Sequence, residues 1–405
     1  MEYAFKNLNT RWKSKASEYR MINRRNLIKN TTITAGALLS GCYRFTNQER
    51  TLASLSDAFK GQFRFGTSIK NDTLQTNDTG LLTLVAKEFN AITADNAMKW
   101  EGLQPKLEEF NWQKADKFVN YGKQNNMQIT GHVLVWHKQT PNYVFMKDSE
   151  IISKKLLLKR METHISKVME RYKEVTEWDV VNEAIDGEKW LDSKWYKIIG
   201  PDYVKRAFQF ARNANPSATL IYNDYGVTNP RKQQAIIDLL NKLKTSGVKI
   251  DGVGMQSHFS LEKNFPSVDM IEKTIERFAR QGYQVFITEL DVDVLPRAWK
   301  YVRQPPLQQL HISEIPPEDA KYLDPYTRGL PAQVSKELAD RYASVFNVFS
   351  RQSDNISRVT VWGTLDTESW KHDWPILGRT NYPLLFDNRG NPKKAYFSVL
   401  GEGNS

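Results

Sequence analysis

Residues 178–184 read Trp178-Asp179-Val180-Val181-Asn182-Glu183-Ala184, a short apolar run that closes on an amide and a carboxylate. Paired valines favour a strand. A carboxylate at the end of an apolar strand is costly unless it is paired or hydrogen-bonded, so Glu183 needs a reason to be there. The same design recurs along the chain. From residue 63 onward, short β-branched or aromatic runs alternate with longer amphipathic stretches, the pattern of repeated strand–helix units and a parallel sheet. Eight such runs are predicted as strands: Phe63–Ile69, Ala91–Asn96, Gln128–Trp136, Thr176–Glu183, Thr219–Gly226, Asp251–Phe259, Gln284–Val292 and Arg358–Asp366. Helices are predicted between them, among others over Ile152–Arg171, Lys232–Thr245, Ser267–Gln281 and Gln333–Phe349. Eight repeats predict an α/β fold closed into a (β/α)8 barrel, a single catalytic domain. A doubly wound open sheet is the competing architecture, but no Gly-rich phosphate turn follows the first run to support it.

Each run ends in residues that packing alone would not select: Asp95-Asn96, Trp136-His137, Asn182-Glu183, Asn223-Asp224, Gln256 with His258, Glu289 with Asp291, and Asp366. In a parallel barrel these ends converge on one face, where the active sites of this fold lie. They are therefore expected to share one cleft. Between the seventh run and its helix lies a Pro-rich loop, Asp293–Pro331, carrying Trp299, Tyr301, Tyr322 and Tyr326. Long loops inside compact domains are usually functional, and this one is expected to wall the cleft. The tail from Trp370 to Ala395 is expected to return along the same face before a last helix near Ala395–Leu400.

The formal net charge of +11 invites a nucleic-acid reading until its distribution is examined. Residues 1–50 carry +7 of it and residues 51–405 only +4, so no basic groove and no nucleic-acid partner are expected. The single cysteine, Cys42, rules out an intramolecular disulfide. Its neighbours are more informative. Paired arginines, Arg24-Arg25, precede a mildly apolar run from Thr31 to Leu39 and then Leu39-Ser40-Gly41-Cys42. This resembles a twin-arginine export signal ending in a bacterial lipobox. The expectation is a leader over residues 1–42 with translation starting at Met21, a linker over 43–56 and a catalytic domain over 57–402. Acylated Cys42 would tether an exported monomer at the cell envelope, its sole contact with a membrane.

Two carboxylates facing one cleft suggest a paired-carboxylate mechanism, in which one protonates a leaving oxygen and the other attacks an anomeric carbon. An ion pair sealing the barrel end is the structural alternative. Neighbouring residues favour chemistry. Glu289 and Asp291 are two apart on a strand and point to the same side, where His258 is placed to bridge them and keep Glu289 ionised. Asn182 is placed to reach the hydroxyl next to the reacting carbon. His132 and His137 are five apart, on opposite faces of a continuous strand, and no metal motif accompanies them, so no metal site is expected. His137 is equally readable as a core histidine. Of the eleven tryptophans, Trp100, Trp136, Trp362 and Trp370 lie beside polar strand ends. Trp362 and Trp370 are read as flat platforms for sugar rings, and Trp178 and Trp195 as packing residues.

Seven motifs occur in order at these strand ends. They are Asp95-Asn96-Ala97-Met98-Lys99-Trp100, Gly131-His132-Val133-Leu134-Val135-Trp136-His137-Lys138-Gln139, Trp178 to Glu183, Tyr222-Asn223-Asp224-Tyr225, Gly254-Met255-Gln256-Ser257-His258, Ile287-Thr288-Glu289-Leu290-Asp291, and Val361-Trp362-Gly363 through Ser369-Trp370. From about Leu55 to Leu400 the chain resembles glycoside hydrolase family 10, the endo-1,4-β-xylanases. The resemblance implies xylan as partner, no cofactor, Glu183 as acid/base and Glu289 as nucleophile in a retaining reaction, with His258 and Asp291 in support. It further implies that Asn182, His132, Lys99, Trp136, Gln256 and Trp362 surround the sugar being cleaved, while Asn96, Gln139 and Trp370 hold the next one. Asp95 stands where the family usually has Glu, which shortens reach toward the distal sugar. A retaining β-1,4-glucanase on the same barrel and a non-catalytic glycan-binding lipoprotein are the rival readings. The first turns on room for a hydroxymethyl group, the second on release of reducing sugar.

Overall fold

A computed structural model describes residues 53–298 and 310–401. The leader, Cys42, the proposed start at Met21 and residues 299–309 of the long loop, including Trp299 and Tyr301, lie outside the described residues. Leu55, assigned to the linker from sequence, is fully buried in the core, and its amide donates to the buried carboxylate of Glu88 at 3.1 Å. The folded unit thus takes in the end of that stretch.

Eight parallel strands form the barrel wall: β1 (Arg64–Ile69), β2 (Ala91–Ala94), β3 (Gln128–Val135), β4 (Glu177–Asn182), β5 (Thr219–Asp224), β6 (Gly252–Met255), β7 (Gln284–Asp293) and β8 (Ile356–Val361). Each pairs with its neighbour in sequence, and β8 pairs with β1 to close the ring. Covered on both faces, these strands read as near-continuous apolar runs. Helices start where their caps direct. Asn229 accepts from the amides of Arg231 and Lys232 with Pro230 in the first turn, and Ser267 accepts from Met270. The Ser267-capped helix, Val268–Arg280, buries Ile271, Thr274, Ile275 and Phe278, a single face at helical spacing.

At the opposite end from the polar strand termini, Arg358 of β8 donates from Nε to Glu177 Oε1 of β4 at 2.7 Å, and Thr130 of β3 donates to the same oxygen at 2.7 Å. The ion pair considered for Glu183 and Glu289 therefore exists, made by other residues. Trp178 is fully buried and lies so close to Gly131 that a Cβ there would come within 2.1 Å of its ring. Trp195 is likewise core.

The structure departs from the expected strand ends and details several side-chain positions. The sixth strand is broken: β6 ends at Met255, Ser257 adopts a left-handed φ of 61°, and His258–Ser260 resumes as a separate piece paired only with β7. The eighth strand runs over 356–361, because Gly363 turns the chain at φ 118°. Asp366 consequently leaves the cleft and is buried against Lys393, at 2.8 Å. Trp100 is also core, stacked on His164 with ring centroids 3.7 Å apart. Finally, no described residue of the long loop lines the cleft. Ala298, Ile315 and Leu323 pack with Ile376 into a small apolar cluster of their own, and the centre of the loop, residues 299–309, lies outside the described residues.

Candidate active site

The strand termini open into a cleft of about 700 Å³. Glu183 follows directly on β4 in a left-handed conformation, φ 59°, which few non-glycine residues adopt without a functional or local reason. Its amide donates to the Asn223 carbonyl at 3.0 Å, and its Oε1 accepts from Gln256 at 3.0 Å and Asn182 at 3.3 Å. The Asn182 amide is oriented with Oδ1 toward the NH2 groups of Asn223 and Gln256, both at 3.1 Å. In the opposite amide orientation the Asn182 oxygen accepts from Trp136 Nε1 at 3.3 Å and its nitrogen donates to the Asn223 carbonyl at 3.1 Å, in exchange for the contact with Glu183. Glu183 Oε2 lies 3.9 Å from His137 Nδ1. Burial lowers the His137 pKa, against the pull of Glu183.

Glu289 projects from β7 and is 6% exposed. Oε1 accepts from Asn223 Nδ2 at 2.8 Å, and Oε2 lies 3.2 Å from His258 Nε2. The other ring nitrogen of His258, Nδ1, lies 3.0 Å from Asp291 Oδ2, which also accepts from Trp370 Nε1 at 2.9 Å. Burial works against a charged imidazole here, yet the Asp291 charge and hydrogen bond, with Glu289 in support, push the His258 pKa up to about 9. At neutral pH both ring nitrogens therefore donate. Burial would also raise Glu289, but the His258 hydrogen bond, attraction to His132 and His258, and the Asn223 amide together hold its carboxyl below the usual range.

His132 sits on the cleft floor, Nδ1 2.9 Å from buried Asp179, with Trp362 edge-on at 5.4 Å. One wall is a relay of side chains. Asn96 Oδ1 accepts from Lys99 at 3.1 Å and Gln139 at 2.9 Å, while Asn96 Nδ2 donates to Asp95 at 2.9 Å. Burial pulls Lys99 below the ordinary lysine range, against the raising pull of Asp95, Glu289 and Glu183. Trp136 lies beneath the Lys99 ammonium, and Trp370 closes over His258 at 4.9 Å. Of the residues given catalytic or sugar-binding roles from sequence, all but Asp291 line the cleft; Asp291 is fully buried behind His258, and of the other strand-end residues Asn223 is fully buried and Asp224 is buried against Lys232 at 2.7 Å. Among the described residues no cluster of three or more His, Cys, Asp or Glu could hold a metal ion.

Sequence reading placed Asn223 among the strand ends but gave it no role, whereas it joins the two halves of the site. The same reading missed Trp374, Lys138, Asp373 and the segment Lys70-Asn71-Asp72, all lining the cleft. Asn223 carried a signal, being one of the polar strand ends. Trp374 carried one too, four residues beyond Trp370 on the returning tail. The Lys70 segment lies past the apolar run and had none.

A (β/α)8 barrel whose cleft holds two buried carboxylates amid amides and tryptophans defines a glycoside hydrolase of the paired-carboxylate class. The particular family follows from comparison. The chain belongs to glycosyl hydrolase family 10, whose profile matches residues 54–402. It is 39% identical to endo-1,4-beta-xylanase A of Xylanibacter ruminicola, covering 86% of this chain and 92% of that relative. It is 36% identical to an endo-1,4-beta-xylanase of Geobacillus stearothermophilus, covering 86% and 98%. Among solved structures, a GH10 endoxylanase from a sugarcane soil metagenome superposes with a TM-score of 0.80 at 43% identity, covering 87% of this chain and all of that one. A xylanase of Thermoanaerobacterium saccharolyticum, solved with xylotriose, gives 0.73 at 34% identity, covering 87% and 99%.

Proposed function

We propose that this chain is an endo-1,4-β-xylanase that cleaves internal bonds of xylan with retention of configuration, Glu289 acting as nucleophile and Glu183 as acid/base. One observation carries the assignment: His258, bridged between Asp291 and Glu289, keeps Glu289 anionic at 6% exposure, the state an attacking carboxylate needs. The family membership and the names of the relatives support xylan as substrate. In the first step Glu183 gives its proton to the departing glycosidic oxygen while Glu289 forms an ester with the anomeric carbon. In the second, Glu183 takes a proton from water, which attacks that carbon and frees Glu289. Asn182 and Gln256 hold Glu183 in both steps.

Replacing Glu289 with Ala is expected to abolish turnover of every xyloside. Replacing Glu183 with Ala is expected to spare aryl xylosides with good leaving groups, which need little acid assistance, while xylan cleavage is lost. Full xylan activity in both variants would overturn the assignment.

For the amino-terminal segment we propose export and acylation at Cys42, supported by Arg24-Arg25 and by Leu39-Ser40-Gly41-Cys42. A Cys42→Ala protein that stays in the membrane fraction would refute the anchor.

A further inference from the structure

The mechanism gives no role to Lys138, a cation of the cleft. Lys138 is exposed at the rim, and its Nζ lies between two tryptophan rings, 5.7 Å from the centroid of Trp136 and 5.4 Å from that of Trp374. Among the described residues no carboxylate pairs with it, in contrast to Lys99 beside it, which is buried and donates to Asn96. The acid adjoining Trp374 is turned elsewhere: Asp373 Oδ1 accepts from the Gly378 amide at 3.3 Å.

Aromatic faces attract an ammonium through the ring quadrupole and fix its position, but they accept no ordinary hydrogen bond. The N–H groups of Lys138 therefore remain available to whatever enters the rim. An unbranched xylose chain is neutral and offers hydroxyls alone. A held, uncompensated ammonium gains more from a carboxylate, through a charge-assisted hydrogen bond. Lys138 adjoins Gln139, the residue that fixes Asn96 on the side proposed for the non-reducing sugars, so a group meeting Lys138 hangs from one of those sugars.

We infer that Lys138 recognises the carboxylate of a hexuronic acid branch carried by xylan on the non-reducing side of the scissile bond. The inference rests on the xylanase reading of the site. It makes Lys138 a specificity determinant for acidic xylan, apart from the residues that grip the main chain.

The test measures kcat/KM for three xylo-oligosaccharides of equal main-chain length: unbranched, bearing one glucuronate branch, and bearing the same branch with its carboxyl reduced to an alcohol. Lys138→Met keeps the apolar stem between the tryptophans and removes the charge. It is expected to lose roughly tenfold on the acidic substrate, with little change on the other two. Lys138→Arg is expected to recover most of that loss. An equal loss on all three substrates overturns the inference, since Lys138 would then prop the main-chain site. No loss on any overturns it as well, leaving a solvated lysine. Wild-type enzyme that cuts none of the three overturns the xylanase reading itself, and the inference with it.

Discussion

Asn223 donates a 2.8 Å hydrogen bond to Glu289, and the same amide nitrogen reaches Asn182 Oδ1 at 3.1 Å. Asn182 in turn reaches Glu183 at 3.3 Å, so one amide on β5 ties Glu289 to a neighbour of Glu183. Replacing Asn223 with Ala removes a donor from Glu289 and leaves Thr288, which now donates to Asn223 at 2.7 Å, unpartnered. Misplacement of a reacting group by an ångström costs about a hundredfold in rate, and a loss of that order in kcat is expected. Because Asn223 helps to depress Glu289, the acidic limb of the kcat/KM profile should move to higher pH. An unmoved limb with unchanged kcat would remove Asn223 from the machinery.

Gly254 guards the same amide from behind. A Cβ at this position would lie 2.3 Å from Asn223 Oδ1 and 3.0 Å from Thr288 Cγ2. Neither neighbour can yield without disturbing Glu289. Gly254→Ala is expected to cost about 1–3 kcal/mol of stability by overpacking. It should also lower kcat more than it raises KM. Urea unfolding together with steady-state kinetics tests both parts, and a stable variant with normal kcat contradicts the geometry.

His258 couples the site to stability. Its folded pKa, about 9, lies above the ordinary value of 6.5. Protonation therefore contributes stability that is fully present below pH 6.5 and is lost as pH rises through 9. Unfolding free energy measured from pH 6 to 10 should decline across this window in the wild type. The decline should be smaller in His258→Gln, which has no proton to lose; parallel profiles would show that His258 does not set the alkaline loss.

The buried pair at the far end of the barrel should behave differently. Arg358→Met leaves the Glu177 carboxylate in the interior without its cation, a change that costs about 3–5 kcal/mol. Adding Glu177→Gln should restore part of the loss. Since the pair lies away from the carboxylates of the cleft, kcat of the folded variant should change little. Thermal melts of the single and double variants, set beside their kcat, decide the matter.

Strand identity and the polar strand ends were legible because each obeys a local rule: β-branched runs form strands, and a polar terminus on a barrel strand faces the catalytic side. Pairing of Glu289 with Asp291 followed from a period of two. Other features depend on where the chain turns. Asp366 reads like one more strand end, but Gly363 diverts it to Lys393, and only the return of the tail supplies that partner. Trp100 follows the same polar segment as Lys99, yet the short helix Trp100–Leu103 rotates it into the core. Placement of Lys138 between two tryptophans joins residues 136 and 374, a contact that no local pattern encodes.

The break in the sixth strand has a mechanical consequence. On an unbroken strand Gln256 and His258 would face the same way. With Ser257 left-handed between them, Gln256 serves Glu183 at 3.0 Å and His258 serves Glu289 at 3.2 Å. A single peptide hinge thus gauges the spacing between Glu183 and Glu289, and any strain put into that hinge reaches both carboxylates at once.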